Sequence, residues 1–237
     1  MAKNVTPRTA GRTNVALKRT MAATGFLFIF FILMHCYGNL KMFLGEEAFD
    51  GYAHWLRDPL PHMIPEGWFL YAFRTLLLVA LVVHFYAAFK MWHLGAKARG
   101  RDRYVVKKSI SASPASRYAH LTMRWGGVVL ALFIVAHILQ FTTLHIQWGG
   151  DYLAEGVGPY DRMVMAFQLW WVWAIYFVAI LALSLHIWHG VWSAMQSMGW
   201  IRKSTLDGTK LVATASALAI LVGFMAPPTA ILLGLLK

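Results

Sequence analysis

Residues 21–44 read MAATGFLFIFFILMHCYGNLKMFL. About twenty apolar residues in succession, rising ~1.5 Å each, cross a hydrocarbon core of about 30 Å. One imidazole, His35, lies deep in the run. Four more stretches have the same character: 68–94 with His84 deep inside, 121–146 with His137, 164–198 with His186, and 211–236 with no histidine. The expectation is an all-α membrane protein, a five-transmembrane-helix bundle. Residues 1–20 form a basic tail, of which the first dozen are expected to be disordered, and residues 21–237 form a single membrane domain. The stretch 164–198 is the longest and is expected to tilt or to extend beyond the bilayer. Pro227 and Pro228 are expected to kink the last span or end it early, and the serine-rich 109–116 to be a turn that caps the third.

Composition agrees. Of 237 residues, 59% are hydrophobic and 14% charged, and the mean hydropathy is +0.53. These values exclude an ordinary soluble domain and leave no room for a separate one. A net charge of +12 does not point to nucleic acid, because the basic residues cluster in particular loops. Cys36 is the only cysteine, which excludes a disulfide framework, a thiolate zinc site and a covalent haem attachment motif. The first apolar run lacks a small-residue cleavage pattern, so no cleavable signal peptide is expected.

The connecting segments alternate in charge. Lys3, Arg8, Arg12, Lys18 and Arg19 precede the first span without an acid. Glu46, Glu47, Asp50, Asp58 and Glu66 follow it against Arg57 alone. The next loop sets Lys97, Arg99, Arg101, Arg103, Lys107, Lys108 and Arg117 against Asp102. The loop after the third span is Gly-rich and mildly acidic, and WIRKSTLDGTK before the fifth is basic. The positive-inside rule then places the N-terminus in the cytoplasm and the C-terminus outside.

An ionisable group in hydrocarbon is costly and marks a functional site by default. One such histidine is as well explained by packing and a single hydrogen bond; four, one to a span, are not. In this topology His35 lies about 20 Å from the cytoplasmic face, and His137 lies at a similar depth. His84 and His186 fall late in inward-going spans, near the cytoplasmic side. Depth therefore sorts them into an outer pair, His35 with His137, and an inner pair, His84 with His186. Two imidazoles on facing helices suit haem iron with two axial nitrogens. Zinc sites gather three or four ligands at one place, and each depth offers only two histidines and no deep Asp or Glu. Gly38, Gly126, Gly127 and Gly190 would leave room for a flat ring, although small residues also serve close helix packing. Two haems at two depths would divide a crossing of about 30 Å into shorter electron-transfer steps.

The remaining polar residues are assigned by position. His189 follows His186 by three residues, so geometry alone leaves the ligand open between them. Arg19, Lys90, His93 and Arg124 lie toward the cytoplasmic ends, as snorkelling cations or as partners of the inner haem's propionates. Arg74, expected to be buried in the outer part of the second span, and Arg162 would face an outer propionate or a quinone oxygen. Glu46, Glu47 and Arg74 are the candidate quinone residues. His120 and His145 are expected at the interface, and His54 and His62 in a solvated loop. Cys36 reads as a small hydrophobe. Trp55, Trp68, Trp92, Trp148 and Trp200 read as an interfacial belt.

Three stretches resemble a known family: AATGFLFIFFILMHCYGNL in the first span, SPASRYAHLTMRWGGVVLALFIVAHILQF in the third and LHIWHGVWSAMQSMGW in the fourth. They are similar to the Thr-Gly followed by His-x-x-Gly-Asn-Leu, the Arg-Trp-x-Gly run leading to a His, and the His-x-x-x-Gly-x-Trp segment of the single-chain, five-helix cytochrome b membrane anchor of succinate dehydrogenase and fumarate reductase. The likeness covers nearly 180 residues. It implies two b haems, the outer held by His35 and His137 and the inner by His84 and His186, which lies four residues before Gly190. It implies that His189, where some members carry Asn, supports the ligand. It also implies an iron–sulfur subunit and a flavoprotein on the cytoplasmic side of a bacterial cytoplasmic membrane, with electrons passing from succinate to a quinone, menaquinone in this branch. Some menaquinol-oxidising members carry a Glu two residues before the fourth ligand. Here Ser184 stands there, which favours succinate oxidation. The competing readings are an anchor for a hydrogenase or formate dehydrogenase, and a haem-free transporter whose histidines relay protons or metal.

A reporter active only outside the cytoplasm is expected to be active when fused after Lys237 and silent when inserted in 99–108. The opposite pattern would reverse the topology.

Overall fold

The computed structural model describes residues 14–60, 63–98, 114–202 and 204–237, with the backbone alone at 98 and 114–122. Among these residues there is no strand. Helix α1 spans Asn14–Leu40 and continues into a 3-10 turn at Lys41–Leu44, ending at Gly45. Helix α2 (Glu46–Arg57) follows at once, then α3 (Trp68–Ala98), α4 (Pro114–Phe141), α5 (Pro159–Phe167), α6 (Trp170–Ser197) and α7 (Leu206–Leu232). Five of these, α1, α3, α4, α6 and α7, are long and apolar enough to cross a membrane. Large side chains such as Leu78, Val82, Leu132, Val178 and Val222 lie exposed along them. A bundle that turns this much apolar surface outward is one whose solvent is lipid.

Several boundaries differ from the sequence reading. Helix α1 begins at Asn14, so Lys18 and Arg19 stand on the first helix and not in a tail. Helix α4 starts at Pro114, whose missing N–H costs nothing in a first turn, and it stops at Phe141, five residues short of the expected end. The long fourth stretch is two helices. Leu169 has an extended backbone, and α6 restarts at Trp170, so its 28 residues need no unusual tilt. The first acidic loop contains α2, an amphipathic helix with Glu46 and Glu47 in its first turn and Arg57 in its last, as the helix dipole favours. Pro227 and Pro228 do not end α7, which runs through them to Leu232. Helices α6 and α7 close alike. Trp200 and Gly199 donate to the Met195 and Gln196 carbonyls (3.0 and 3.1 Å), and Leu235 and Gly234 to those of Ala230 and Ile231 (2.8 and 2.9 Å). Gly199 and Gly234 have positive φ, as this pairing requires.

Helix α1 is central, packed on α3, α6 and α7, while α4 and α7 flank α6. Gly223 of α7 abuts Cys36 of α1 so closely that a Cβ would meet the sulfur. One end of the bundle is closed by α2, α5 and the 142–158 loop over a layer formed by Met42, Tyr152, Tyr160, Phe167 and Tyr176. At this capped end Asp50 of α2 serves α5. Its Oδ1 accepts from the Tyr160 N–H (2.8 Å), and Asp161 Oδ2 accepts from the Gly158 N–H (2.9 Å). The N-terminal N–H groups of α5 thus find carboxylates that its own N-cap glycine lacks. Gly158 lies against the Asp50 carboxylate with no room for a Cβ.

Burial pushes the Asp50 carboxyl up from its ordinary range. The Tyr160 N–H opposes that, Asp161 adds to it and Arg162 again opposes it. A carboxyl whose folded pKa lies above its unfolded one favours the fold below the unfolded value, and that contribution is lost as pH rises through the folded value. Gly158→Ala is expected to destabilise the capped end by about 1–3 kcal/mol. Asp50→Ala is expected to cost ~1 kcal/mol and to remove the decline in stability as pH rises through the acid range. Thermal unfolding in detergent across pH 4–8 measures both.

Candidate functional site

The four mid-span histidines, His35 exposed and the other three half-buried, meet in twos. The His35 and His137 rings have centroids 5.8 Å apart and planes at 78°. The His84 and His186 rings are 6.4 Å apart, at 55°. These couples join α1 to α4 and α3 to α6, neither of which is among the closely packed helix pairs. Side chains, and not touching backbones, bridge each gap.

The couples stand at two levels. His84 Nδ1 lies 2.8 Å from the Thr24 hydroxyl, and Thr24 precedes His35 by eleven residues on α1, ~16 Å along the axis. His137 Nδ1 lies 3.1 Å from the Tyr176 hydroxyl, and Tyr176 precedes His186 by ten residues on α6, ~15 Å. Two helices therefore give the same separation. The His35–His137 level is at the capped end, and the His84–His186 level is nearer the start of α1.

The surroundings differ. At the capped level His35 stacks on Phe31 (5.4 Å) and meets Phe224 (5.6 Å), and His137 stacks on Phe133 (5.6 Å). Beyond His137 a polar chain runs outward. Tyr176 donates to Gln140 Oε1 (2.8 Å), Gln140 Nε2 donates to the Tyr152 hydroxyl (3.3 Å), and that hydroxyl donates to the Trp148 carbonyl (2.8 Å). Gln140 is fully buried. At the other level the Phe28 ring meets His84 edge-on (5.7 Å). His186 Nδ1 and Ser184 Oγ are buried and have no hydrogen-bond partner among the described residues.

The donor set has the dimensions of a two-imidazole metal centre. Two metal–nitrogen bonds of ~2.0 Å, with ~1.1 Å from each nitrogen to its ring centre, allow such centres to stand up to roughly 6 Å apart. Among the described residues no three His, Cys, Asp or Glu side chains gather at one place. Each couple thus suits a metal that brings its remaining ligands with it, as haem iron does. Gly190, one turn beyond His186 on the same face, has open space where a Cβ would stand, as have Gly126 and Gly127. Gly38 does not, because Tyr52 of α2 covers it; it admits the cap and not a flat ring beside His35.

The other sequence candidates scatter. Arg19, Lys90, His93 and Arg124 are exposed. Counted along their helices from the two levels, Arg19 and Lys90 lie ~8–9 Å and Arg124 about 4 Å beyond the His84–His186 couple, away from the cap. The Arg124 guanidinium sits over the Trp92 ring at 5.0 Å. His189 lies three residues beyond His186 on an adjoining face. Arg74 is exposed and not buried, because the outward face of α3 meets no other helix there; its neighbour Phe73 packs on Phe31 (5.9 Å), which sets Arg74 at the capped level. Glu46 and Glu47 are exposed in the first turn of α2. Arg162 is tied to the loop, donating to the Tyr152 and Val157 carbonyls (3.0 and 3.1 Å), with two of its five N–H donors. His54 and His145 are exposed. His62 and the His120 side chain lie outside the described residues. The sequence reading missed Tyr176, Gln140 and Tyr152. A Gln six residues before the expected end of the 121–146 span was the available signal for Gln140.

No protein-family model, no curated protein and no solved structure matches the chain. Fold and geometry together define a multi-pass, all-helical membrane protein with two imidazole couples at separate levels.

Proposed function

We propose that the chain is the dihaem cytochrome b membrane anchor of a succinate dehydrogenase in a bacterial cytoplasmic membrane. In this reading it passes electrons from an iron–sulfur subunit, itself bound to a flavoprotein, to a quinone of the menaquinone type. The observation that carries the dihaem part is the separation of the two couples, 5.8 and 6.4 Å between ring centres, at levels ~15 Å apart. The resemblance in the first, third and fourth spans supports the rest.

Haem iron, when bound, supplies a one-electron carrier at each level. His84 and His186 hold the inner group, and His35 and His137 the outer. Phe31, Phe133 and Phe224 around the outer couple exclude water and keep the local dielectric low. Arg19, Lys90 and Arg124 supply positive charge beyond the inner couple, where propionates would seek it, with His93 as a further hydrogen-bond donor there, and His189 stands beside the inner ligand. At the capped end Glu46, Glu47 and Arg74 are the proposed polar contacts of a quinone head group. Ser184 offers no carboxylate for carrying protons inward, which favours succinate oxidation as the working direction.

Reduced-minus-oxidised spectra of the purified complex test this. Two b-type haems and a copurifying flavin are expected. His84→Ala or His186→Ala is expected to remove one haem and leave the other at least partly bound; His35→Ala or His137→Ala is expected to do the reverse. A colourless protein at normal abundance would sink the dihaem reading, and haem without flavin would favour the anchor of a different dehydrogenase. Loss of both haems from all four variants at normal protein levels would overturn the pairing.

A further inference from the structure

At each level one imidazole has a hydroxyl at its second ring nitrogen, and the direction of that hydrogen bond is fixed from a distance. The Trp148 carbonyl can only accept, so the Tyr152 hydroxyl spends its single proton there (2.8 Å). Tyr152 must then accept from Gln140, which turns the Gln140 amide nitrogen toward Tyr152 (3.3 Å) and its oxygen toward Tyr176. Tyr176 gives its proton to that oxygen (2.8 Å) and has only a lone pair left for His137 Nδ1 (3.1 Å). His137 therefore carries its proton on Nδ1, and its Nε2 lone pair is free. The same holds for the other couple by a shorter route. Thr24 donates to the Thr20 carbonyl (2.9 Å), with the Met21 carbonyl at 3.1 Å, so it accepts from His84 Nδ1 (2.8 Å). The His84 ring also hydrogen-bonds the Met21 carbonyl, and with the proton on Nδ1 its lone pair is on Nε2.

We infer that Tyr176 and Thr24 are positioning residues, one for each level, which fix Nε2 of His137 and of His84 as the nitrogen presented to a metal and raise its basicity. The inference rests on the proposed haem reading for its redox consequence, and on the hydrogen bonds alone for the tautomer. A ring N–H donated to an acceptor makes the opposite nitrogen a stronger ligand. A stronger nitrogen ligand favours ferric over ferrous iron. Tyr176 is itself polarised through Gln140 and Tyr152, and a chain of hydrogen bonds strengthens each member. Each hydroxyl acts on its own level, because ~15 Å of bundle separates them.

Redox titration of the purified complex, following each haem in its absorption bands, tests the inference. Tyr176→Phe is expected to shift toward the ferrous form only the haem that His137→Ala removes, by about tenfold in the ferric-to-ferrous equilibrium, or ~59 mV for a one-electron couple. Gln140→Leu is expected to move the same haem by less, since Tyr176 remains but is no longer polarised. Thr24→Val is expected to move only the haem that His84→Ala removes. Unchanged midpoints in variants that keep both haems, or a shift in the wrong haem, would overturn the inference. The tautomer has its own readout in ¹⁵N-histidine NMR of the reduced protein, where His84 and His137 are expected as Nδ1–H, with or without haem; Nε2–H at either would overturn it. A wild-type protein without haem would instead sink the proposed function, while the NMR measurement still decides the tautomer.

Discussion

An imidazole in hydrocarbon has two ring nitrogens to satisfy and no water to satisfy them with. That constraint organises this bundle. A neutral ring is donor at one nitrogen and acceptor at the other, so a buried histidine with one hydroxyl partner still has one nitrogen unsatisfied. Here the nitrogen with a hydroxyl partner is Nδ1 of His84 and of His137, and each of these rings stands 5.8–6.4 Å from a second imidazole across a gap between helices. A packing role would be met by one partner per ring. Here the rings stand in twos, between helices that are not closely packed.

The polarity of this arrangement is set by groups that cannot change roles. Backbone carbonyls only accept. The chain from Trp148 through Tyr152, Gln140 and Tyr176 to His137, and the shorter one from Thr20 through Thr24 to His84, each start from such a carbonyl and end on a ring nitrogen. The longer chain passes through the layer that closes the capped end, where Tyr152 and Tyr176 are also part of the apolar packing. The cap is thus continuous with the site. Asp50, Gly158 and Arg162 hold the loops in which Tyr152 stands, so the geometry at His137 depends on residues that never approach it.

Much of the fold was legible because hydrocarbon imposes one rule on every span. Length and apolarity located five of them, and counting from the basic ends sorted the four histidines by depth. What escaped depended on finer terms. The break at Leu169 falls inside an unbroken apolar run, and hydropathy is blind to a change of backbone conformation between Phe167 and Trp170. Helix α2 hid in an acidic, aromatic loop because its pattern is amphipathic and not apolar. Pro227 and Pro228 suggested an ending, yet the bundle around α7 holds the helix through both. The hydroxyl partners were invisible for another reason. Thr24 and Tyr176 lie 60 and 39 residues from the histidines they serve, and nothing in a single sequence says which spans face each other at which rotation.

Spacing along two helices supplies the last step of the argument. Thr24 to His35 on α1 and Tyr176 to His186 on α6 are near-equal intervals on helices that run alongside each other. Each helix therefore carries a histidine of one couple and the hydroxyl that bonds a histidine of the other. Helix α1 gives His35 to the capped couple and Thr24 to the second; α6 gives His186 to the second and Tyr176 to the capped one. A rotation or slide of either helix would disturb both levels together. The two couples are locally independent in their hydrogen bonds and jointly dependent on the register of α1 against α6, to which the Trp200–Phe26 stack (5.8 Å) just past the end of α6 contributes, while the Gly223–Cys36 contact holds α1 against α7, which itself packs on α6. Substitutions at those contacts act on both couples through register, whereas substitutions at Thr24 or Tyr176 act on one.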